Sequence, residues 1–245
     1  MKKSIVIIGF GRFGQFWGSL LESKFDISFY DPFKNPDKSH GESVSIEQLK
    51  SFETIFWCTP ISRMQESLRA LANHLSPTAV VLDTASVKIK PCEWMSMQLQ
   101  PSIQCIATHP LFGPDSFPAR NTLAMHPLRC QQATFDYWVE HLTTLKMEIE
   151  IMSPDEHDKS ISLTQGLCHF IGRSLACFDL ASSQVDTLGY TRLQQLREQT
   201  CNDSKQLFLD MLTYNPYSKS MLNQIRDHQQ SLYNEILEQE KKYGL

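Results

Sequence analysis

Ser4-Ile5-Val6-Ile7-Ile8-Gly9-Phe10-Gly11-Arg12-Phe13-Gly14-Gln15-Phe16-Trp17 is the stretch whose reading decides the fold. An uninterrupted apolar run reads as a strand buried on both faces. It runs directly into G-x-G-x-x-G, and the residues after Gly14 repeat at helical spacing. A lone glycine pattern is weak, but a strand before it and a helix after it is the context in which it binds a dinucleotide. Gly9 then allows the tight turn, Gly11 lets backbone approach a pyrophosphate, and Gly14 lets helix pack on strand. The first amides of the helix, around Arg12 and Phe13, face phosphate oxygens. Glycines serving a tight turn alone are the other reading.

Outward from this stretch, short apolar runs alternate with helix-period segments to about residue 150. Strands are expected near Ile27–Tyr30, Thr54–Cys58, Ala79–Asp83, Ile103–Thr108 and Met147–Ile151, and helices near Ser62–Asn73, Cys92–Gln98 and Thr134–Leu145. That alternation predicts an α/β fold, a doubly wound, mostly parallel Rossmann-type sheet. The polar Pro32–Ser45 segment reads as a loop. At Ser153-Pro154-Asp155-Glu156 a capping box with proline at the first helical position starts a long helix, expected to continue to about Leu180. All that follows is helical: Thr187–Glu198, Asp203–Thr213 and Tyr217–Lys242. Two domains are therefore predicted, a dinucleotide-binding one over 1–152 and an all-α one over 153–245.

Composition narrows the function. With 23 Lys and Arg against 27 Asp and Glu, the net charge of −4 speaks against a broad nucleic-acid face. No C-x-x-C pair occurs among the 7 cysteines, which read as reduced thiols. Arg12 and the glycines end the first apolar run too early for export or membrane spanning. The expected setting is cytoplasmic, with no membrane, nucleic-acid or metal partner.

Candidate chemistry collects at the carboxyl ends of the predicted strands, where open α/β sheets bind ligands. Asp31, 22 residues after Gly9, is placed to accept from an adenosine ribose and to repel a 2′-phosphate, favouring NAD over NADP. Lys34 works against that repulsion, and Asp31-Pro32 also initiates a turn. Thr59 and Pro60 follow the third strand, as cofactor lining or as a simple turn. Asp83-Thr84-Ala85-Ser86-Val87-Lys88 follows the fourth and places hydroxyl and ammonium groups near the nicotinamide end. His109, held between a strand end and Pro110, suits a general base, although a lone histidine is more often structural. On the long helix, Ser162, Gln165, His169 and Arg173 form a narrow polar stripe whose arginine needs a partner, either a bound carboxylate or an acidic neighbour such as Asp179.

Taken together, these residues resemble the prephenate/arogenate dehydrogenases of tyrosine biosynthesis. The resemblance rests on Gly9–Gly14 with Gln15-Phe16, Asp83–Lys88, His109-Pro110-Leu111-Phe112-Gly113-Pro114, Gln165–Arg173, and Gly189-Tyr190 through Asn202-Asp203-Ser204 to Tyr214-Asn215. It implies oxidative decarboxylation of a cyclohexadienyl carboxylate, with hydride passing to NAD. His109 would take the ring hydroxyl's proton, and Ser86 would orient both. Gln165, His169, Arg173 and, less directly, Arg192 would bind substrate. Arg192 reads equally as an exposed helical arginine; Arg63, Arg120 and Arg129 are further carboxylate candidates. The helical domain would form a homodimer and close one side of the cleft. Two other readings stand beside this one: another Rossmann-plus-helical dehydrogenase or reductase, and an NAD-sensing protein without catalysis.

Overall fold

The computed structural model describes residues 2–34 and 41–244. The chain divides into two compact units, Met1–His157 and Asp158–Leu245. The expected Pro32–Ser45 loop falls in part on residues 35–40, outside the described residues.

In the first unit, strands β1 (Lys3–Ile8), β2 (Phe25–Tyr30), β3 (Glu42–Ser43), β4 (Thr54–Trp57), β5 (Val80–Asp83), β6 (Gln104–Pro110), β7 (Thr122–Arg129) and β8 (Glu148–Ile151) form one sheet. Its order is β3-β2-β1-β4-β5-β6-β7-β8. All neighbours are parallel except β6 and β7, so a doubly wound parallel sheet carries two reversed strands at one side. The chain winds one way from β1 and the other way from β4, so the switch point, where such sheets bind ligands, lies between them. Ile5, Val6, Ile7 and Ile8 of β1 are all buried, as a strand covered on both faces requires. Helices α1 (Arg12–Leu21), α2 (Ile61–Leu71), α3 (Ile89–Gln98) and α4 (Gln132–Thr144) accompany the sheet. Trp17, Phe29, Phe56 and Trp138 are among the largest fully buried side chains of this unit.

β7 was not expected from the sequence. Pro127 hides it, because proline cannot donate to the ladder, and the register indeed slips there: Cys105 pairs with Arg129 but Ala107 with His126. Its partner registry places Ala124 opposite His109.

Helix α5 (Pro154–Ile161) starts with the predicted capping box: Glu156 N donates to Ser153 Oγ at 3.3 Å, and Ser153 N donates to the Glu156 carboxylate at 2.9 Å. The single long helix expected to Leu180 is not uniform. A π-helical turn occupies Ser162–Gly166, α6 runs over Leu167–Ser174, and a 3₁₀ turn closes at Cys177. Hydroxyls compete for backbone acceptors where the α-ladder loosens: Ser162 Oγ donates to Lys159 O and Thr164 Oγ1 to Ser160 O. The second unit continues with α7 (Leu188–Asn202), α8 (Lys205–Tyr214) and α9 (Ser218–Tyr243). Ser204 caps α8 by accepting from Leu207 N. Among the described residues no helix is long and apolar enough to cross a membrane.

Candidate active site

The glycine turn is fixed by its neighbours. Gly9 has φ +108°, and a Cβ there would sit 2.7 Å from Cys58 O; one on Gly14 would sit 2.1 Å from Gly9 O. Both positions exclude any side chain. Gly11 differs: its backbone is extended, and a Cβ would meet nothing within 4 Å. Protein packing therefore gives no reason for glycine at 11, whereas a ligand approaching the backbone does. No side chain caps α1, and no acidic residue lies in its first turn, so its leading amides remain suited to an anion.

Asp31 braces this turn from the end of β2. One carboxylate oxygen accepts from Phe10 N at 2.8 Å, and the other from Phe33 N at 2.9 Å and Lys34 N at 3.2 Å. Lys34 thus meets Asp31 through its amide. Across the switch point, Thr59 follows β4, and its hydroxyl is buried with no protein partner. Such an orphan calls for water or a ligand. Pro60 caps α2 from an exposed position, Phe13 stacks on Trp17, and Arg12 pairs on the surface with Asp115. Cys58, beside the turn, is not a nucleophile: burial pushes its thiol up to about 12.

Next to β4 in the sheet, the ends of β5 and β6 build the second half. The expected ammonium at Lys88 does not face a ligand. Lys88 and Asp83 form a buried ion pair, and Lys88 Nζ also donates to Thr108 O at 2.5 Å. The Asp83 carboxylate further accepts from Ala85 N at 3.0 Å and Thr108 N at 3.1 Å. Its charge is met on every side, and the two strand ends are locked together directly before His109.

His109 is 2% exposed, and its Nδ1 lies 2.9 Å from Nε2 of the equally buried His157. Burial, the His157 ring and the Lys88 charge hold its imidazole well below the usual value. Ser86, to which the resemblance assigns the orienting of His109 and of the substrate hydroxyl, is half-buried on the β5–α3 loop, and the group bonded to His109 Nδ1 is His157. Phe112 explains the apolar part of the segment, with its ring 6.3 Å from Phe16 and 6.4 Å from Trp17 on α1. The histidine strand is thereby packed on the helix that the glycine turn opens.

In the helical unit, the predicted stripe carries buried polar atoms without protein partners: Gln165 Oε1, His169 Nδ1 and Arg173 Nε. The acidic alternative for Arg173, Asp179, gives way to Asp203. Arg173 Nη2 donates to Asp203 O, and its guanidinium stands 5.1 Å from the Phe208 ring centroid. His169 Nε2 is 3.5 Å from the Asp203 carboxylate. Burial lowers the His169 pKa, Asp203 partly restores it and Arg173 lowers it further. Ser162 is committed to Lys159 O, and Arg192 lies exposed on α7. Arg129 leaves the set of carboxylate candidates, since it donates to the carbonyls of Ile103, Leu99 and Gln100 at 3.1, 3.3 and 3.1 Å. Arg63 pairs with Glu66 on the surface, and Arg120 is exposed.

A family model described as prephenate dehydrogenase, nucleotide-binding domain, matches residues 38–123, and one described as TYRAAT1-like, C-terminal domain, matches residues 174–244. The chain is 26% identical to arogenate dehydrogenase 1, chloroplastic, of Arabidopsis thaliana over 240 residues, which is 90% of this chain and 37% of that protein. The first of these matches covers residues 38–123 alone, so it is the nucleotide-binding part of the chain that is similar to the prephenate dehydrogenases. The chain is also 25% identical to arogenate dehydrogenase 2, chloroplastic, of the same plant, covering 90% of this chain and 66% of that protein. It thus spans less than two thirds of either plant relative. The fold matches that of a prephenate dehydrogenase from A. aeolicus, solved with hydroxyphenyl propionate and NAD+, at TM-score 0.73 and 18% identity over 98% of this chain and 93% of that one.

His157 is the residue that sequence reading missed. Its signal was faint: a histidine in the second turn after the capping box, four residues before the buried Ile161.

Proposed function

We propose that this chain catalyses oxidative decarboxylation of prephenate or arogenate, giving 4-hydroxyphenylpyruvate or tyrosine, with NAD as the acceptor. The observation that carries the reading is His109, a base held neutral by its surroundings at the strand edge whose other end forms the glycine turn. Gly9, Gly11, Gly14, the α1 amides, Asp31 and Thr59 are the groups that would hold the dinucleotide. The open face of Gly11 and the orphaned Thr59 hydroxyl fit such a ligand. NAD, when bound, supplies the hydride acceptor. His109 accepts the ring hydroxyl's proton, the locked Asp83–Lys88–Thr108 corner fixes where its imidazole stands, and Ser86 is assigned to the substrate hydroxyl. In the helical unit Gln165, His169 and Arg173 are assigned to substrate carboxylates, with Arg192 as an outer candidate; the buried Nε of the half-buried Arg173 and the buried Nδ1 of His169, both without protein partners, suit an anion. The exposed Leu232, Tyr233 and Ile236 of α9 support a homodimer through that unit. A cytoplasmic location fits the free cysteines.

The test is turnover of purified protein with prephenate or arogenate, each with NAD or NADP. Formation of reduced cofactor with at least one substrate supports the reading. Cofactor binding without turnover in any combination would favour the sensing alternative.

Two substitutions probe the cofactor side. Gly11→Ala is expected to leave thermal unfolding unchanged, because its methyl meets no protein atom, while NAD affinity measured by calorimetry falls at least tenfold. Asp31→Asn keeps an acceptor for the turn but removes the charge. The NAD-over-NADP ratio of kcat/KM is expected to drop about tenfold or more, as a like-charge contact worth roughly 1.4 kcal/mol or more is lost.

A further inference from the structure

We propose that His157 is a positioning residue that sets which nitrogen of His109 is basic. The inference rests on the proposed proton transfer to His109.

The bond between His109 Nδ1 and His157 Nε2 at 2.9 Å holds a single proton between two rings that are 2% and 1% exposed. Two neutral arrangements satisfy it. In one, His157 Nε2 carries the proton and donates, which leaves the proton of His109 on Nε2 and no basic atom facing a substrate. In the other, His109 Nδ1 carries the proton and donates to His157, so His109 Nε2 presents a lone pair. Only the second makes His109 a base. His157 therefore acts as a neutral acceptor, the place a carboxylate takes in serine-type triads.

The choice of an imidazole over a carboxylate has a consequence. A carboxylate beside Nδ1 would stabilise the imidazolium and raise the pKa of the base, whereas a neutral ring lets burial and the Lys88 charge keep it low. The other charged or titratable groups around the pair are consistent with this. Asp83 is neutralised by Lys88, and His126 stands on the same face of β7, opposite Ala107, with burial lowering its pKa. On its own helix His157 is flanked by Glu156, bonded to Ser153, and by the buried Asp158. In the reaction the substrate O–H bond breaks, its proton binds His109 Nε2, and the Nδ1 proton stays in the bond to His157. The pair leaves the step with one positive charge, and the proton on Nε2 returns to the ring oxygen when loss of carbon dioxide turns the ring carbonyl into a phenolate.

The test combines the side chain with the tautomer. Nitrogen NMR of protein labelled in its imidazoles, with the His109 signals identified by their loss in His109→Asn, should show Nδ1 protonated and Nε2 bare near neutral pH. His157→Gln, which keeps an acceptor near the same place, should retain kcat within about tenfold. His157→Leu should lower kcat about 10²-fold with little change in KM, and His157→Glu should move the acid limb of kcat/KM upward by about one pH unit. A purely structural role for His157 would lower thermal stability in all three without moving that limb. Nε2-protonated His109, or a His157→Leu enzyme with wild-type kcat, overturns the proposal. If wild-type protein turns over neither substrate, the functional reading fails, and the NMR result still decides the tautomer.

Discussion

His109→Asn is expected to lower kcat/KM by roughly 10²–10⁴-fold while NAD affinity stays within twofold. The asparagine amide reaches where Cγ and Nδ1 stood and keeps a hydrogen bond toward His157, but nothing remains at the position of Nε2. Folding is preserved and the base is deleted, so the loss should fall on kcat. The wild-type pH profile carries the same signature. Because the folded imidazole is held below its ordinary 6.5 by burial first, then by His157 and Lys88, His109 stays unprotonated as pH falls through that value. The acid limb of kcat/KM is therefore expected below 6.5. Stability follows the same sign: the unfolded chain binds the extra proton first, so stability falls as pH drops below the unfolded value. Activity within tenfold of wild type in His109→Asn would remove this residue from the chemistry.

The second large effect concerns the buried corner beneath it. Lys88→Met leaves the fully buried Asp83 carboxylate without its cation, and loss of one partner of a buried pair typically costs about 3–5 kcal/mol. Denaturant unfolding should show that loss in the first unit. The double replacement Asp83→Asn with Lys88→Met should recover part of it, because no naked charge remains. Since Lys88 also holds Thr108 O, one residue before His109, kcat should fall in both variants. A single variant as stable as wild type contradicts the assigned role of the pair.

The sheet was legible in the sequence wherever strands are buried on both faces. β1 is a run of four buried aliphatics, and the glycine turn, Asp31 and the capping box at Ser153 each carry a local chemical reason for their position. Elements whose logic is tertiary were not. β7 contains a proline that argues against a strand, and its pairing with β6 and β8 overrides this. The π turn at Ser162–Gly166 falls where the Ser162 and Thr164 hydroxyls bond carbonyls of the preceding turn, which helical periodicity cannot register. At the site, His109 and the D-x-x-S-V-K segment could be read from their place after strands. The inward turn of Lys88 and the approach of His157, 48 positions further on, depend on packing that no local pattern encodes.

The central claim is that proton removal at His109 accompanies oxidation and loss of carbon dioxide from one substrate. Its most direct measurement is carbon dioxide release and reduced-cofactor formation followed together in wild-type protein, with prephenate and with arogenate. Equal, simultaneous yields with at least one of them are predicted. Reduced cofactor without carbon dioxide, or neither product from either substrate, would contradict the account.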